Sequence, residues 1–351
     1  MRALFRVVAV FAFVARYVQS QEAPADNVFR QARQLEETNQ LGKANELLSD
    51  FVRHNHGNDT ALVEHGRIQL AQGLNDDALK SFEAVLTNQP ESAPARDGEV
   101  KAATAAALAD RQIGGLDGAA LIYLIRARKF VPDSPELLFD FGMQADSMRI
   151  YRVADDALTK AHKLAPDDAK ILYALAHVEF DEQKMPEAES NMRAYLKKRP
   201  GDATAHFGLG RLLHMLTRND EAKAELEQSI ALQARQSESC YELGQIALEE
   251  NRDEEAKKYY EEVLAVAPHH GGALTGIGVL AFRMRDYAVA ETYLKSAVLY
   301  AADFSTAHHY YALVLACLGR QDEAKRESEL AEKLNEEEAK TSRGNFLTVI
   351  H

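Results

Sequence analysis

The side chains of this chain that could do chemistry are mainly histidines, and their spacing argues against a metal site. The 351 residues include twelve histidines. Three pairs lie close together in the chain: His54 and His56, His269 and His270, His308 and His309. Metal ligands on a helix need a spacing of three or four residues, and no cysteine or carboxylate set completes any of these pairs. The sequence therefore predicts no metal site and no cofactor.

One glycine-rich stretch, Gly271-Gly272 with Gly276 and Gly278, superficially resembles a phosphate-binding loop. Such a loop must follow a β-strand, whereas this stretch follows a helical pattern and Pro268. Close packing of helices explains the glycines better. The chain also lacks a nucleophile elbow and any motif that pairs a nucleophile with a base. We therefore expect no catalytic residues and no enzymatic activity.

A 34-residue periodicity indicates the elements that carry these side chains. Four sets of residues follow this step: large apolar Phe141, Leu175, Leu209 and Leu243; small Gly142, Ala176, Gly210 and Gly244; small Ala154, Ala188, Ala222 and Ala256; and Pro166, Pro200 and Pro268. Large apolar, small, small and proline columns at this period are typical of a helix–turn–helix solenoid.

Each column has a physical reason. The two helices of a repeat, here called helix A and helix B, must cross closely, so we expect Gly210 to face Ala222. The large apolar column fills the space between successive repeats. Proline after helix B ends it, because proline lacks a backbone donor and clashes with the preceding turn. Ser134 and Pro135 then suit the N-cap and the first position of the next helix.

On these residues the chain resembles the tetratricopeptide repeat family, whose pattern is W-x2-L-G-x2-Y, A-x3-F and P. Repeat 203–236 matches it at Leu209, Gly210, Leu213, Ala222 and Leu226, and repeat 237–270 at Leu243, Gly244, Ala247, Ala256, Tyr260 and Pro268. The chain has no tryptophan for the first position. The resemblance implies a right-handed all-α solenoid whose concave side is lined by helix A, and it does not specify a partner.

The periodicity also predicts the domain organisation. About nine repeats fill residues 25–338, and an eight-residue insertion, 93–100, precedes the third. Because alanine is the best helix former, we expect this insertion to lengthen the alanine-rich helix A that follows. The last helix B is heavily charged, as suits the end of a repeat array. We expect this helix to end near Gly344. Residues 339–351, which follow the last repeat, are expected to form a C-terminal tail.

Composition and the N-terminus bear on location. The net charge of −13 argues against nucleic acid and anionic membrane surfaces, which require clustered lysine and arginine.

In residues 1–20, Arg2 and Arg6 precede an apolar run, 7–15, that is too short to span a bilayer. We expect a cleaved secretory signal and a location in the periplasm or outside the cell. The alternative is an organelle transit peptide.

Two columns on helix A are the candidate partner-binding residues. The aromatic column comprises Phe139, Tyr173, Phe207 and Tyr241, and the second column, four residues further on, comprises Met143, His177, Arg211 and Gln245. Because residues four apart share a helix face, both columns lie on one side of helix A. The resemblance implies that this side faces the groove. Partner contact and local packing remain alternative roles for the aromatic residues.

The sequence thus predicts a non-catalytic, exported scaffold that holds an unknown protein or peptide partner. An alternative is a non-catalytic accessory or carbohydrate-binding subunit of an envelope polymer-processing machine, which would use the aromatic column to stack against sugars.

Overall fold

The computed structural model of the chain describes residues 25–112, 117–233 and 236–347, with side chains as far as residue 337. Every regular element in these ranges is a helix. The expected signal segment, residues 1–20, lies outside them. The first helix, α1, spans residues 25–37. The other helices are α2 Leu41–His54, α3 Asp59–Ala71, α4 Asn75–Asn88, α5 Ala93–Gln112, α6 Asp117–Arg128, α7 Pro135–Ser147, α8 Tyr151–Leu164, α9 Ala169–Asp181, α10 Met185–Lys198, α11 Ala203–Met215, α12 Asn219–Leu232, α13 Ser237–Glu249, α14 Asp253–Val266, α15 Gly271–Arg283, α16 Tyr287–Tyr300, α17 Ser305–Cys317 and α18 Gln321–Leu347.

These helices pair as helix A (odd numbers) and helix B (even numbers), so the fold is the all-α helical repeat solenoid that the periodicity predicts. The chain divides into two compact units, Met1–Asp167 (unit 1) and Asp168–His351 (unit 2). In unit 1 the main hydrophobic core gathers around Phe82 and Leu124. In unit 2 a series of cores follows the repeats, around Leu226, Tyr260 and Leu294.

The turns between helix A and helix B recur with the same backbone conformation. At the described turns, the residue in this position has φ between 56° and 80°: Asn39 and Gly73, which are 34 residues apart, and then Arg149, Gln183, Thr217, Asn251, Arg285 and Gly319, again at steps of 34. The left-handed conformation turns the chain directly from one helix into the next. The recurrence of this residue at the 34-residue step gives the described repeats a common turn geometry.

The expected helix starts and stops are confirmed. Ser134 is the N-cap of α7, its side chain accepts a hydrogen bond from the backbone N–H of Leu137, and Pro135 is the first helical residue. Helices α8 and α10 end two residues before Pro166 and Pro200. Proline therefore terminates helix B here, as its missing donor and ring require.

The close crossing of helix A and helix B is also confirmed. A Cβ atom on Gly210 would lie 2.7 Å from Cγ of Leu226 and 3.2 Å from the carbonyl oxygen of Ala222. Ala222 and Leu226 are both fully buried. On α15, Cβ atoms on Gly276 and Gly278 would collide with Tyr260 and Leu294. Close packing of helices, as expected, accounts for these glycines.

The eight-residue insertion extends a helix, whereas the predicted end of the last helix near Gly344 is wrong. Helix α5 begins at Ala93 and has 20 residues, compared with 13 in most other A helices, so the insertion lengthens its start as predicted. Helix α18 does not end near Gly344 but continues to Leu347. A glycine inside a helix costs only about 1 kcal/mol relative to alanine, and the good helix formers that precede Gly344 outweigh it.

Unit 1 buries one carboxyl group without a partner. The side chain of Glu99 on α5 is fully buried, and neither of its carboxyl oxygens has a hydrogen-bond partner among the described residues. Burial, reinforced by the negative charge of Glu83 on α4, raises its pKa to about 8, while Arg126 on α6 opposes the shift. Glu99 is therefore protonated in the folded protein at neutral pH.

Replacing Ala222 by leucine tests the helix crossing. Ala222→Leu should lower the free energy of unfolding by about 1–3 kcal/mol, because the added side chain overpacks a site without spare volume. Denaturant unfolding measures the change. Ala224→Leu is the matched control, since Ala224 is exposed on the same helix, and it should leave stability within about 0.5 kcal/mol of wild type. Equal effects of the two substitutions would contradict the assigned crossing.

Glu99 should make the stability of unit 1 depend on pH. Its folded pKa lies above the unfolded value, so its contribution is complete below pH 4.5 and is lost as the pH rises towards 8. We expect roughly 2 kcal/mol less stability at pH 8 than at pH 6 from this residue. In Glu99→Gln this component should disappear, as pH-dependent unfolding measures. A pH dependence identical in wild type and variant would show that the carboxyl is ionised in the folded state.

Candidate functional site

The eight predicted site residues occupy the same two positions of four A helices. Phe139 and Met143 lie on α7 in unit 1. Phe139 is half-buried and Met143 is 37% exposed. The other six lie in unit 2, two on each of α9, α11 and α13. The structure thus carries both columns on helix A, at the turn-by-turn spacing that the sequence predicts.

In unit 2 the aromatic column is half-buried between neighbouring helices. The ring of Tyr173 packs against Tyr195 on α10, with centroids 5.0 Å apart. Tyr241 packs against Tyr260 on α14 and against His270, at 6.2 and 4.9 Å. Phe207 lies against the core cluster around Leu226. These rings contribute to packing and still retain an accessible part.

Burial changes the polar ends of these tyrosines. Burial, helped by the nearby carboxylate of Asp202, raises the pKa of Tyr173. Burial likewise raises the pKa of Tyr241, whose hydroxyl accepts a hydrogen bond of 2.5 Å from Nε2 of Gln245. Both phenols are therefore neutral hydrogen-bonding groups under physiological conditions. This hydrogen bond also ties the aromatic column to the second column on α13.

The second column is the more exposed of the two. His177 and Arg211 are exposed, and Gln245 is half-buried. The guanidinium of Arg211 lies 5.6 Å from the centre of the Phe180 ring on α9 and 3.9 Å from Oε1 of Glu242 on α13. Its side chain keeps 52% of its surface accessible. Arg211 is thus oriented by both neighbouring A helices and can still contact a partner.

Sequence reasoning missed the polar contacts that join successive A helices in unit 2. His214, one turn after Arg211, contacts Glu242 and Glu249 on α13. The 34-residue step could have indicated this contact, since it brings residue 214 beside residues 248 and 249 of the next repeat. The 34-residue pattern also does not show at which repeat the two columns become buried. The corresponding residues of α15, Thr275 and Val279, are buried.

This arrangement offers noncovalent contacts: apolar ring edges, one oriented guanidinium and several hydrogen-bonding groups. Aromatic residues and arginine are the residue types enriched at the centres of protein interfaces. None of the described helices is long and apolar enough to cross a membrane. The described side chains of this surface can make noncovalent contacts with another molecule.

Comparison with known proteins agrees with the repeat pattern. One tetratricopeptide repeat model matches residues 29–96 and 173–239, and a second matches 237–270. A search of curated protein sequences finds no match. Among solved structures, the pilF protein of Pseudomonas aeruginosa is similar over 57% of this chain and 91% of its own, with 20% identity and a TM-score of 0.50.

A second similar structure is the APC/C hetero-tetramer Cut9-Hcn1. The likeness covers 89% of this chain and 59% of that one, with 15% identity and a TM-score of 0.54. At these identities the likeness concerns the fold alone. The 34-residue columns and the repeat models over residues 29–96, 173–239 and 237–270 identify the repeats of this chain as tetratricopeptide repeats.

Proposed function

We propose that this protein is a non-catalytic scaffold that holds a protein or peptide partner on the helix-A surface formed by the aromatic and second columns. The fold itself supports a protein–protein interaction scaffold, since stacked repeats present extended binding surfaces. The observation that carries the finer proposal is the exposure of His177 and Arg211 directly beside half-buried aromatic rings. Met143 and Phe139 offer the same combination in unit 1.

The geometry of Arg211 favours a partner with acceptor groups. Its guanidinium lies 5.6 Å from the centre of the Phe180 ring and 3.9 Å from Glu242, and the accessible half of the side chain leaves N–H groups that can donate to acceptors on a partner. The partly accessible rings of Tyr173 and Phe207 can then contact apolar side chains of the same partner. An aromatic anchor next to an oriented arginine is a combination common at the centres of protein interfaces.

A protein partner fits these rings better than a carbohydrate does. Sugars stack on the open face of an aromatic ring. Tyr173 has Tyr195 against it, and Tyr241 has Tyr260 and His270. We therefore favour the scaffold over the carbohydrate-binding alternative.

We also propose that the protein works outside the cytoplasm, in the periplasm or beyond the cell. The support is the sequence of residues 1–20 alone, with its two early arginines and short apolar run.

Export can be tested by mass spectrometry of the mature N-terminus. We expect cleavage near Ser20 and recovery of the processed protein from the envelope or the medium. Val10→Arg should block processing, because a charge interrupts the apolar run, whereas Val10→Leu should not. An intact Met1 in the cytoplasmic fraction of wild type would contradict the proposal.

The partner surface can be tested with a double variant that spares stability. His177→Ala combined with Arg211→Ala changes two exposed residues, so the free energy of unfolding should stay within about 1 kcal/mol of wild type. In quantitative affinity capture, the same variant should retain about one tenth or less of the partner that wild type retains, as expected for an arginine at the centre of an interface.

The matched control removes two cations from B helices. Lys197 on α10 and Lys258 on α14 are both exposed, and their double alanine variant should capture the partner as wild type does. Equal capture by wild type and both variants would mean that binding occurs elsewhere on the molecule.

A further inference from the structure

His214 is held between two carboxylates of the next repeat. Its Nδ1 lies 3.0 Å from Oε2 of Glu242, and its Nε2 lies 3.1 Å from Oε2 of Glu249. The His214 and Glu242 side chains are only 14% and 15% exposed, while Glu249 is 59% exposed. His214 belongs to α11 and both carboxylates belong to α13. The imidazole therefore bridges the A helices of two successive repeats.

Both neighbours of this ring accept hydrogen bonds. A neutral imidazole has one N–H and one lone pair, so one of its nitrogens would direct a lone pair at a carboxylate. The charged imidazolium donates to both carboxylates. The hydrogen bond to Glu242 raises the pKa of His214 most, Glu249 adds to the shift, and burial opposes it. Arg211, on the same helix, has its Nε 3.9 Å from the other carboxyl oxygen of Glu242, Oε1.

Three other histidines of unit 2 have different hydrogen-bond partners. Nδ1 of His270 accepts a hydrogen bond from the backbone N–H of Ala273, which requires an unprotonated nitrogen, and so caps α15. His206 and His308 each contact one carboxylate and one backbone carbonyl, but the carboxylate lies on helix B of the same repeat. His214 differs because its two carboxylates both lie in the following repeat.

We propose that His214, Glu242 and Glu249 form a proton-dependent clasp between α11 and α13. With His214 charged, two charge-assisted hydrogen bonds hold the helices together. When the proton leaves, the imidazole keeps a single N–H, so one of these two hydrogen bonds is lost. The clasp is a property of unit 2 whether or not a partner binds to the helix-A surface.

The sign of the pH effect follows from the raised pKa. The contribution of the clasp to stability is complete below the ordinary histidine value of about 6.5, and it is lost as the pH rises through the folded value. Exposure of Glu249 to solvent moderates this contribution. The helix-A surface should therefore be more rigid on the acidic side of neutrality.

Imidazole NMR of the full chain from pH 5 to pH 9 tests the proposal. The resonance of His214 is assigned by its loss in His214→Gln, and it should titrate above about pH 6.5. Glu249→Gln should move this titration to lower pH. Glu254→Gln, which removes the same charge from an exposed position on α14, should leave the titration unchanged.

Thermal unfolding provides a second measurement. The melting temperature of wild type should exceed that of His214→Gln by about 2 °C or more at pH 6, and the difference should shrink by pH 9. A His214 resonance that titrates at or below pH 6.5 would overturn the proposal, as would a titration that Glu249→Gln leaves unchanged. If His214→Gln fails to fold, the His214 resonance is identified instead as the imidazole resonance whose titration Glu249→Gln moves and Glu254→Gln does not, and a Glu249→Gln variant that moves no imidazole titration overturns the proposal.

Discussion

The close contact of helix A with helix B inside each repeat is the constraint on which the rest of the structure depends. At Gly142, Gly210 and Gly244 the missing side chain leaves room for Leu158, Leu226 and Tyr260 of the opposing helix. This contact sets the distance between the two helices and the rotation of helix A about its axis. It therefore also decides which positions of helix A face outward. The candidate site exists because the same contact recurs along each unit.

Features that depend on this recurring contact could be predicted from the sequence, because the same residue types return at each step. The pairing of Gly210 with Ala222 is an example. The extension of α5 could be predicted for another reason, because the eight extra residues precede an alanine-rich helix. The end of α18 could not, since a single glycine is too weak a signal to decide where a charged helix stops. The unpartnered carboxyl of Glu99 and the clasp at His214 also escaped prediction. Each involves side chains that do not recur with the repeat. The 34-residue step brings position 214 close to positions 248 and 249, but the repeated columns do not show that a histidine and a carboxylate meet there.

The sequence predicts which positions of helix A carry the two columns of the candidate site, but it does not predict how exposed each column is. The aromatic and second columns share one helix face, as their spacing requires. They differ in exposure because neighbouring helices cover one turn of helix A and leave the next accessible. Tyr241 shows the result, since its ring packs against His270 while its hydroxyl bonds Gln245 at the edge of the surface. The packing contacts and the accessible ring edges belong to the same side chains, so the packing of these rings is compatible with the proposed role in recognition.

The turns between helix A and helix B are places where substitutions could raise the stability of the protein. Six of the turn residues with positive φ carry side chains: Asn39, Arg149, Gln183, Thr217, Asn251 and Arg285. A left-handed conformation costs an ordinary residue roughly 1–2 kcal/mol, although asparagine tolerates it better. Glycine is free of this strain, as Gly73 and Gly319 illustrate at the same step. Replacing these residues by glycine would therefore relieve strain at the turns. Such substitutions to glycine, in evolution or in protein engineering, could offset the loss of stability caused by changes in the binding residues themselves.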